Sequence, residues 1–363
     1  MSIKNQIQAA LSSIIIVCFI SCRENDKNNQ DGIQIIDTKD LDELVSTHLT
    51  TIDSSCFQDG EVLDSMLLLI DYCNSDVFYG YDLTTFKPLV ATGTNGKGPG
   101  DFISVPFFSV SNNNTELAVW DPSGYLKYID EFNPEIKASE SRFLDPQFMG
   151  SRYVAIADNR IYGNKFKSGK GNIFYQEGNG GGLSWIEPPR YIKDHAYGFI
   201  HGEEFMQPFL ENCFTIGGEG DRKFLAVGMK YYNTIYFMDT DGNLVKSFQL
   251  DMEGNGENII VPQGDRNSEF FSPETTVFVY DVYSTDKFIY FLSYGSSSSN
   301  FREKHEGGKS QLFVFDIDMN FVKGVTLDRK LGFICVSNDN ERLFGGAIGN
   351  SGVSAMVEYQ LNL

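Results

Sequence analysis

The chain has 363 residues with 30 Phe, 18 Tyr and 35 Gly, ample apolar surface for a core and a composition that favours strands joined by turns over disorder. Its formal charge is −20, with 49 Asp and Glu against 29 Lys and Arg and no long basic run. Phosphate neutralisation needs clustered cations, so nucleic-acid partners are excluded and the acidity reads as solubility.

Residues 1–21 carry Lys4 in a short polar start and then an apolar stretch, Ala9 to Ile20 (AALSSIIIVCFI), which ends in Ser21 before Cys22. That stretch is too short to span a bilayer comfortably. It resembles a bacterial lipoprotein signal, in which Ile20 and Ser21 precede a cysteine that is acylated and becomes the mature N-terminus. The resemblance implies lipid attachment at Cys22, a membrane partner reached through that anchor, and an address in the cell envelope, by default the outer membrane of a Gram-negative cell. Several acyl chains together hold far more firmly than one. Residues 22–32 are polar without apolar periodicity and read as a flexible tether.

The body is expected over residues 33–363. Ile33 to Ile36 alternates apolar and polar and reads as a lone strand, whereas Leu41, Leu44 and Val45 fall at helical spacing over one turn at most. Val62 to Tyr72 (VLDSMLLLIDY) is a continuous apolar run, expected as one strand covered on both faces. Hairpins with polar turns then recur at Val77 to Val90, Leu117 to Ile129, Thr234 to Phe248 and Gln311 to Val325. This is the mark of a repeat built from one supersecondary unit. The same rhythm places a third unit over Tyr153 to Ile186 and a sixth over Gly332 to Leu363.

The loop Thr92 to Pro106 is rich in Gly and Pro. Lys97 is followed there by Gly98 and Pro99, not by the Ser or Thr that opens a helix, so it is no phosphate cradle. Gly98, Pro99, Gly100, Asp101 and Phe102, then Pro106 and the hairpin from Leu117, resemble the inter-blade motif of six-bladed β-propeller lipoproteins, TolB-like in fold and similar to NHL-repeat propellers. The motif covers about two blades. The resemblance implies an all-β fold, a six-bladed β-propeller closed by an N-terminal strand, for which Ile33 to Ile36 is the available segment. It supplies no catalytic residues.

Three long insertions interrupt the rhythm, at Glu187 to Glu211, Glu253 to Glu274 and Gly295 to Gly308. Around the first, Trp185, Arg190, Tyr191, His195, Tyr197, His201 and Glu203 form a candidate ligand surface, since aromatics with Arg are enriched at binding sites. In an extended strand His195, His201 and Glu203 would share a face open to a metal, but Gly198 and Gly202 break such a strand and no metal is assigned. Asp239 to Asn243 reads as a hairpin turn, because the twelfth position, Leu250, lacks the Glu of a calcium loop. Asp281 and Asp286 could face a central channel.

Four cysteines follow Cys22, and no framework is expected of them in so long a chain. A bridge between Cys56 and Cys73 would contribute about 3 kcal/mol, but buried free thiols are the expectation. With no Gly-x-Ser-x-Gly elbow and no Cys-x-x-Cys pair, no catalytic residue or cofactor is assigned. The expected function is a membrane-anchored binding module that recognises a protein, peptide or glycan through one face. The alternatives are a cation-dependent propeller hydrolase or lactonase and a purely structural envelope component.

Overall fold

The computed structural model describes residues 32–51, 56–98, 101–111, 117–129, 140–165, 172–178, 181–192, 211–252, 276–297, 308–349 and 352–363. Three short strands come first: β1 (Ile33–Asp37), β2 (Asp42–Leu44) and β3 (His48–Thr51). Blade 1 follows with β4 (Phe57–Leu63), β5 (Met66–Asp71), β6 (Asp76–Asp82) and β7 (Pro88–Thr94). Blade 2 holds β8 (Phe107–Ser111), β9 (Leu117–Asp121), β10 (Tyr125–Ile129) and β11 (Glu140–Phe143). In blade 3 come β12 (Val154–Ala157), β13 (Arg160–Asn164), β14 (Ile173–Glu177) and β15 (Leu183–Ile186). Blade 4 is β16 (Asn212–Gly217), β17 (Phe224–Met229), β18 (Thr234–Asp239) and β19 (Leu244–Asp251). Blade 5 is β20 (Thr276–Ser284), β21 (Phe288–Ser297), β22 (Ser310–Asp316) and β23 (Phe321–Leu327). Blade 6 takes β24 (Leu331–Val336), β25 (Arg342–Gly349) and β26 (Gly352–Gln360) from the C-terminus.

The result is a six-bladed β-propeller of antiparallel blades. Blades 2 and 3 are linked into one ladder by a short parallel pairing of β8 with β12. The buried apolar side chains of the described residues fall into six clusters, one between each pair of neighbouring blades. Each blade therefore buries its faces only against its neighbours, and the ring must close for every face to be covered.

Closure does use an N-terminal strand, but a different one from that expected. β3 pairs antiparallel with β26, His48 opposite Glu358, and completes blade 6. Ile33 to Ile36 instead belongs to β1, which runs parallel to β19 as a fifth, outer strand of blade 4. β2 does the same on β23 of blade 5, so the segment at Leu41 to Val45 is strand where a helical turn was read. Three residues are too few for helix nucleation to compete with a ready sheet edge. The N-terminal segment thus straps three successive blades.

Two further expectations change. Val62 to Tyr72 is two strands, β4 and β5, turned at Asp64 and Ser65, with Asp64 at a positive φ of 50°. That pair lacks the Asn-Gly or Asp-Gly signal of a two-residue turn. The hairpin at Leu117 to Ile129 joins second and third strands of its blade, whereas those at Val77, Thr234 and Gln311 join third and fourth. Local alternation is the same in either place.

Asp side chains at strand ends explain why these turns recur. Asp239 accepts from the backbone N–H of Asp241 at 3.0 Å and of Asn243 at 2.8 Å, and Gly242 supplies the φ of 90°. Asp316 accepts from Asn320 N–H at 2.8 Å, and Asp82 from Thr85 N–H at 2.7 Å. Asp101 organises its loop by accepting from Gly98 N–H at 2.7 Å, while Phe102 is buried edge-on to Phe78 at 5.1 Å. Cys56 and Cys73 form a disulfide, with Cα atoms 5.5 Å apart, contrary to the expectation of free thiols. The strand end after β5 returns the chain to the start of β4 and so brings them together. Cys213 and Cys335 are buried and free.

Candidate functional site

Strand alternation decides which side chains reach the propeller axis. The first strand of each blade lies innermost, and in β4 the residues Asp59 and Glu61 alternate with buried Gly60 and Val62. The opposite set from β20 brings Asp281 and Tyr283, and the approach to β12 brings Arg152 and Tyr153. These six line a central cavity of about 520 Å³ to which all six blades contribute.

The carboxylates are held across the axis by groups from other blades. Asp59 Oδ2 accepts from the Phe108 N–H of blade 2 at 2.8 Å. Glu61 Oε1 accepts from the Tyr283 hydroxyl of blade 5 at 2.5 Å. Asp281 accepts from the Ile334 N–H of blade 6 at 3.1 Å and from the Tyr153 hydroxyl of blade 3 at 3.3 Å. Tyr153 also reaches the Tyr280 carbonyl at 3.1 Å. These bonds act as cross-braces between blades that share no ladder.

Electrostatics in the cavity follow from the surrounding protein. Burial pushes the Asp59 carboxyl up to about 8, and the Asp281 charge adds to the shift. Burial likewise raises Glu61 to about 7, against the Tyr283 hydrogen bond, which favours the anion. Asp281 is also raised by burial, and the Arg152 guanidinium opposes that. Arg152 lies over the Tyr280 ring at 5.0 Å and the Tyr153 ring at 5.3 Å. Tyr280 in turn stacks on Tyr294 at 4.6 Å, and Lys330 lies over Tyr294 at 4.6 Å. Among the described residues no group of three His, Cys, Asp or Glu is arranged to hold a metal.

The ligand surface read from the sequence is only partly in view. His195, Tyr197, His201 and Glu203 lie outside the described residues. Trp185 sits on β15, the outer strand of blade 3, with its ring 4.9 Å from Phe174. Tyr191 packs against the blade 3–4 cluster and hydrogen-bonds the Ser247 hydroxyl, and Arg190 beside it is exposed. Trp185 thus packs against the cluster between blades 2 and 3, and Tyr191 against the one between blades 3 and 4. Asp281 does face the channel; Asp286 stands at its mouth with Asp64 and Glu219. Asp59, Glu61, Arg152, Tyr153 and Tyr283 were missed. The available signal was the pair of acids at period two in QDGEV, beside strands that are otherwise apolar.

Antiparallel alternation also sorts the connections. Turns from first to second and third to fourth strands lie on one face, which we term the turn face. Connections from second to third strands and between blades lie on the other. The chain leaves β15, β19 and β21 for the segments 187–211, 252–275 and 298–309 on that second face in all three cases.

Residues 213–339, from blade 4 to the first strand of blade 6, match the family model described as TolB-like 6-blade propeller-like. The TolB-like resemblance is therefore carried by a different part of the chain from the motif at residues 98–129. Among solved structures, a member of the DUF4221 family from Bacteroides vulgatus ATCC 8482 is similar over 89% of this chain and 98% of its own, at 11% identity and a TM-score of 0.54. The RRP9 WD40 repeats align over 89% of this chain and 100% of theirs, at 8% identity and 0.53. At such identities the likeness shows the fold alone. No curated protein matches the chain.

Proposed function

We propose that the protein is a lipid-anchored propeller of the bacterial cell envelope, tethered through Cys22 to the outer membrane, that binds a protein, peptide or glycan through one face of the disc. The observation that carries the binding reading is the topology of the insertions: all three long connections leave the body on one face. Loops gathered at one end of a rigid scaffold are where binding residues concentrate. The channel argues against the alternative, a cation-dependent hydrolase. Its carboxylates are engaged as cross-braces, Asp59 by the Phe108 N–H and Glu61 by the Tyr283 hydroxyl.

A thermal-melt screen of the lipidated chain against envelope glycans, peptides and divalent cations tests this, because a ligand that binds only the folded state raises the melting temperature. A shift with a glycan or peptide that survives in Glu61→Gln is the expected result. A shift with calcium or zinc alone, abolished in that variant, would overturn the reading in favour of the hydrolase. Anchoring is tested separately by fatty-acid labelling of the wild type and Cys22→Ala, with loss of label expected only in the variant.

A further inference from the structure

From the rim of blades 4 and 5 we infer a bilayer-contact surface, built from the openings of β19 and β23; the inference rests on the anchor reading above. In both strands the first two residues are exposed and apolar, and the third is Lys: Leu244, Val245, Lys246 and Phe321, Val322, Lys323. Strand alternation would hide every second residue, yet Leu244 and Val245 are 45% and 50% exposed and Phe321 and Val322 are 37% and 42%. Both strands open on a β-bulge: Leu244 lies opposite Met238 and Lys246 opposite Phe237, Phe321 opposite Phe315 and Lys323 opposite Val314, so Val245 and Val322 are the extra residues and simple alternation fails there.

The two openings adjoin. Lys246 Nζ donates to the Asn320 side chain at 2.7 Å, across the blade boundary, and Lys323 Nζ donates to the Asn362 carbonyl at 3.1 Å. Both lysines thus meet neutral acceptors in a chain with 49 acidic residues, and their charge stays available to phosphate headgroups. Asp239 and Asp316 in the adjoining turns are held by the turns' own N–H groups. Apolar side chains flanked by snorkelling lysines suit the interfacial layer of a membrane.

The N-terminal strap selects the occupant. β1 runs parallel to β19 with Ile33 opposite Ser247, so the chain enters the body at Gly32 level with Lys246, at the opening of β19. Gly32 lies ten positions after Cys22, a reach of at most about 35 Å. An acyl anchor at Cys22 would hold this rim within that distance of the lipid, and the surface would turn the insertion-bearing face away from the membrane.

The test uses the full lipidated chain in vesicles of phosphatidylethanolamine with a minor share of phosphatidylglycerol. Single cysteines at Val245→Cys, Val322→Cys and, on the opposite face, Lys309→Cys carry a polarity-sensitive fluorophore, with lipid-borne quenchers in the bilayer. Cys213 and Cys335 are buried and Cys56 and Cys73 are bridged, so labelling is selective. The expected result is at least threefold stronger quenching at 245 and 322 than at 309. In a Leu244→Asp, Phe321→Asp background the 245 and 322 signals should fall to the 309 level while the protein stays in the membrane pellet. Equal quenching at all three sites in pelleted protein would overturn the surface and leave the anchor standing. Wild-type protein in the soluble fraction would overturn the anchor and this surface with it.

Discussion

Replacing Asp59 with Asn and Glu61 with Gln should flatten a fall in stability that the wild type shows between pH 5 and pH 8.5. In the folded state these carboxyls hold their protons to about 8 and about 7, while in the unfolded chain they release them near 3.8 and 4.5. The folded state therefore binds more protons than the unfolded state throughout that window, and stability falls as pH rises. At 1.36 kcal/mol per unit, the Glu61 shift alone corresponds to about 3 kcal/mol. Both carboxylates keep accessible surface toward the channel, so roughly half of the combined effect, again about 3 kcal/mol, is expected after solvent screening. Guanidinium unfolding of wild type and double variant at pH 5, 7 and 8.5 measures it. The Gln amide retains an acceptor for Tyr283, so the variant should fold. A wild type whose stability rises over this window, or a variant with the same slope, would refute the reasoning.

Other consequences are simpler to state. Reducing the Cys56–Cys73 disulfide, which closes a separation of 17 residues, should cost about 3 kcal/mol, read as a lower melting temperature in dithiothreitol that Cys56→Ser/Cys73→Ser reproduces without reductant. Phe237→Ala should cost about 4 kcal/mol by denaturant titration, because its buried ring meets Phe224, Phe248, Phe291 and Phe315 between blades 4 and 5. Gly228→Ala would set a Cβ 2.4 Å from Val279 Cγ1 on the next blade, and should cost about 1–3 kcal/mol. The double variant with Val279→Ala should recover part of that loss, measured in a double-mutant cycle.

Legibility in the sequence followed the range of the interaction. The hairpins at Val77, Leu117, Thr234 and Gln311 were readable because alternation, an Asp at the strand end and a polar turn are all local. The strands of blades 3 to 6 were readable for the same reason. The turn at Asp64 was not, since Asp-Ser carries no special turn chemistry and its flanks are continuously apolar. Whether a hairpin was second-to-third or third-to-fourth in its blade was also hidden, as at Leu117, because the same alternation serves both.

The channel was less legible than the fold. Glu61 and Tyr283 lie 222 residues apart, and Tyr153 and Asp281 lie 128 apart, so only ring closure brings them to one axis. The disulfide illustrates an intermediate case: proximity of Cys56 and Cys73 was visible, but their pairing depended on β4 and β5 being two strands.

By itself the sequence determined an acidic, repeat-built all-β chain with blade-sized units, because composition and turn chemistry act within a few residues. The tertiary structure decided which N-terminal strand closes the ring, which carboxyls meet at the axis, and that the strand ends from which the three long connections leave share the face opposite the turns. Those outcomes are set by edge pairing and by the alternating direction of strands around a closed circle, which no local window of residues contains.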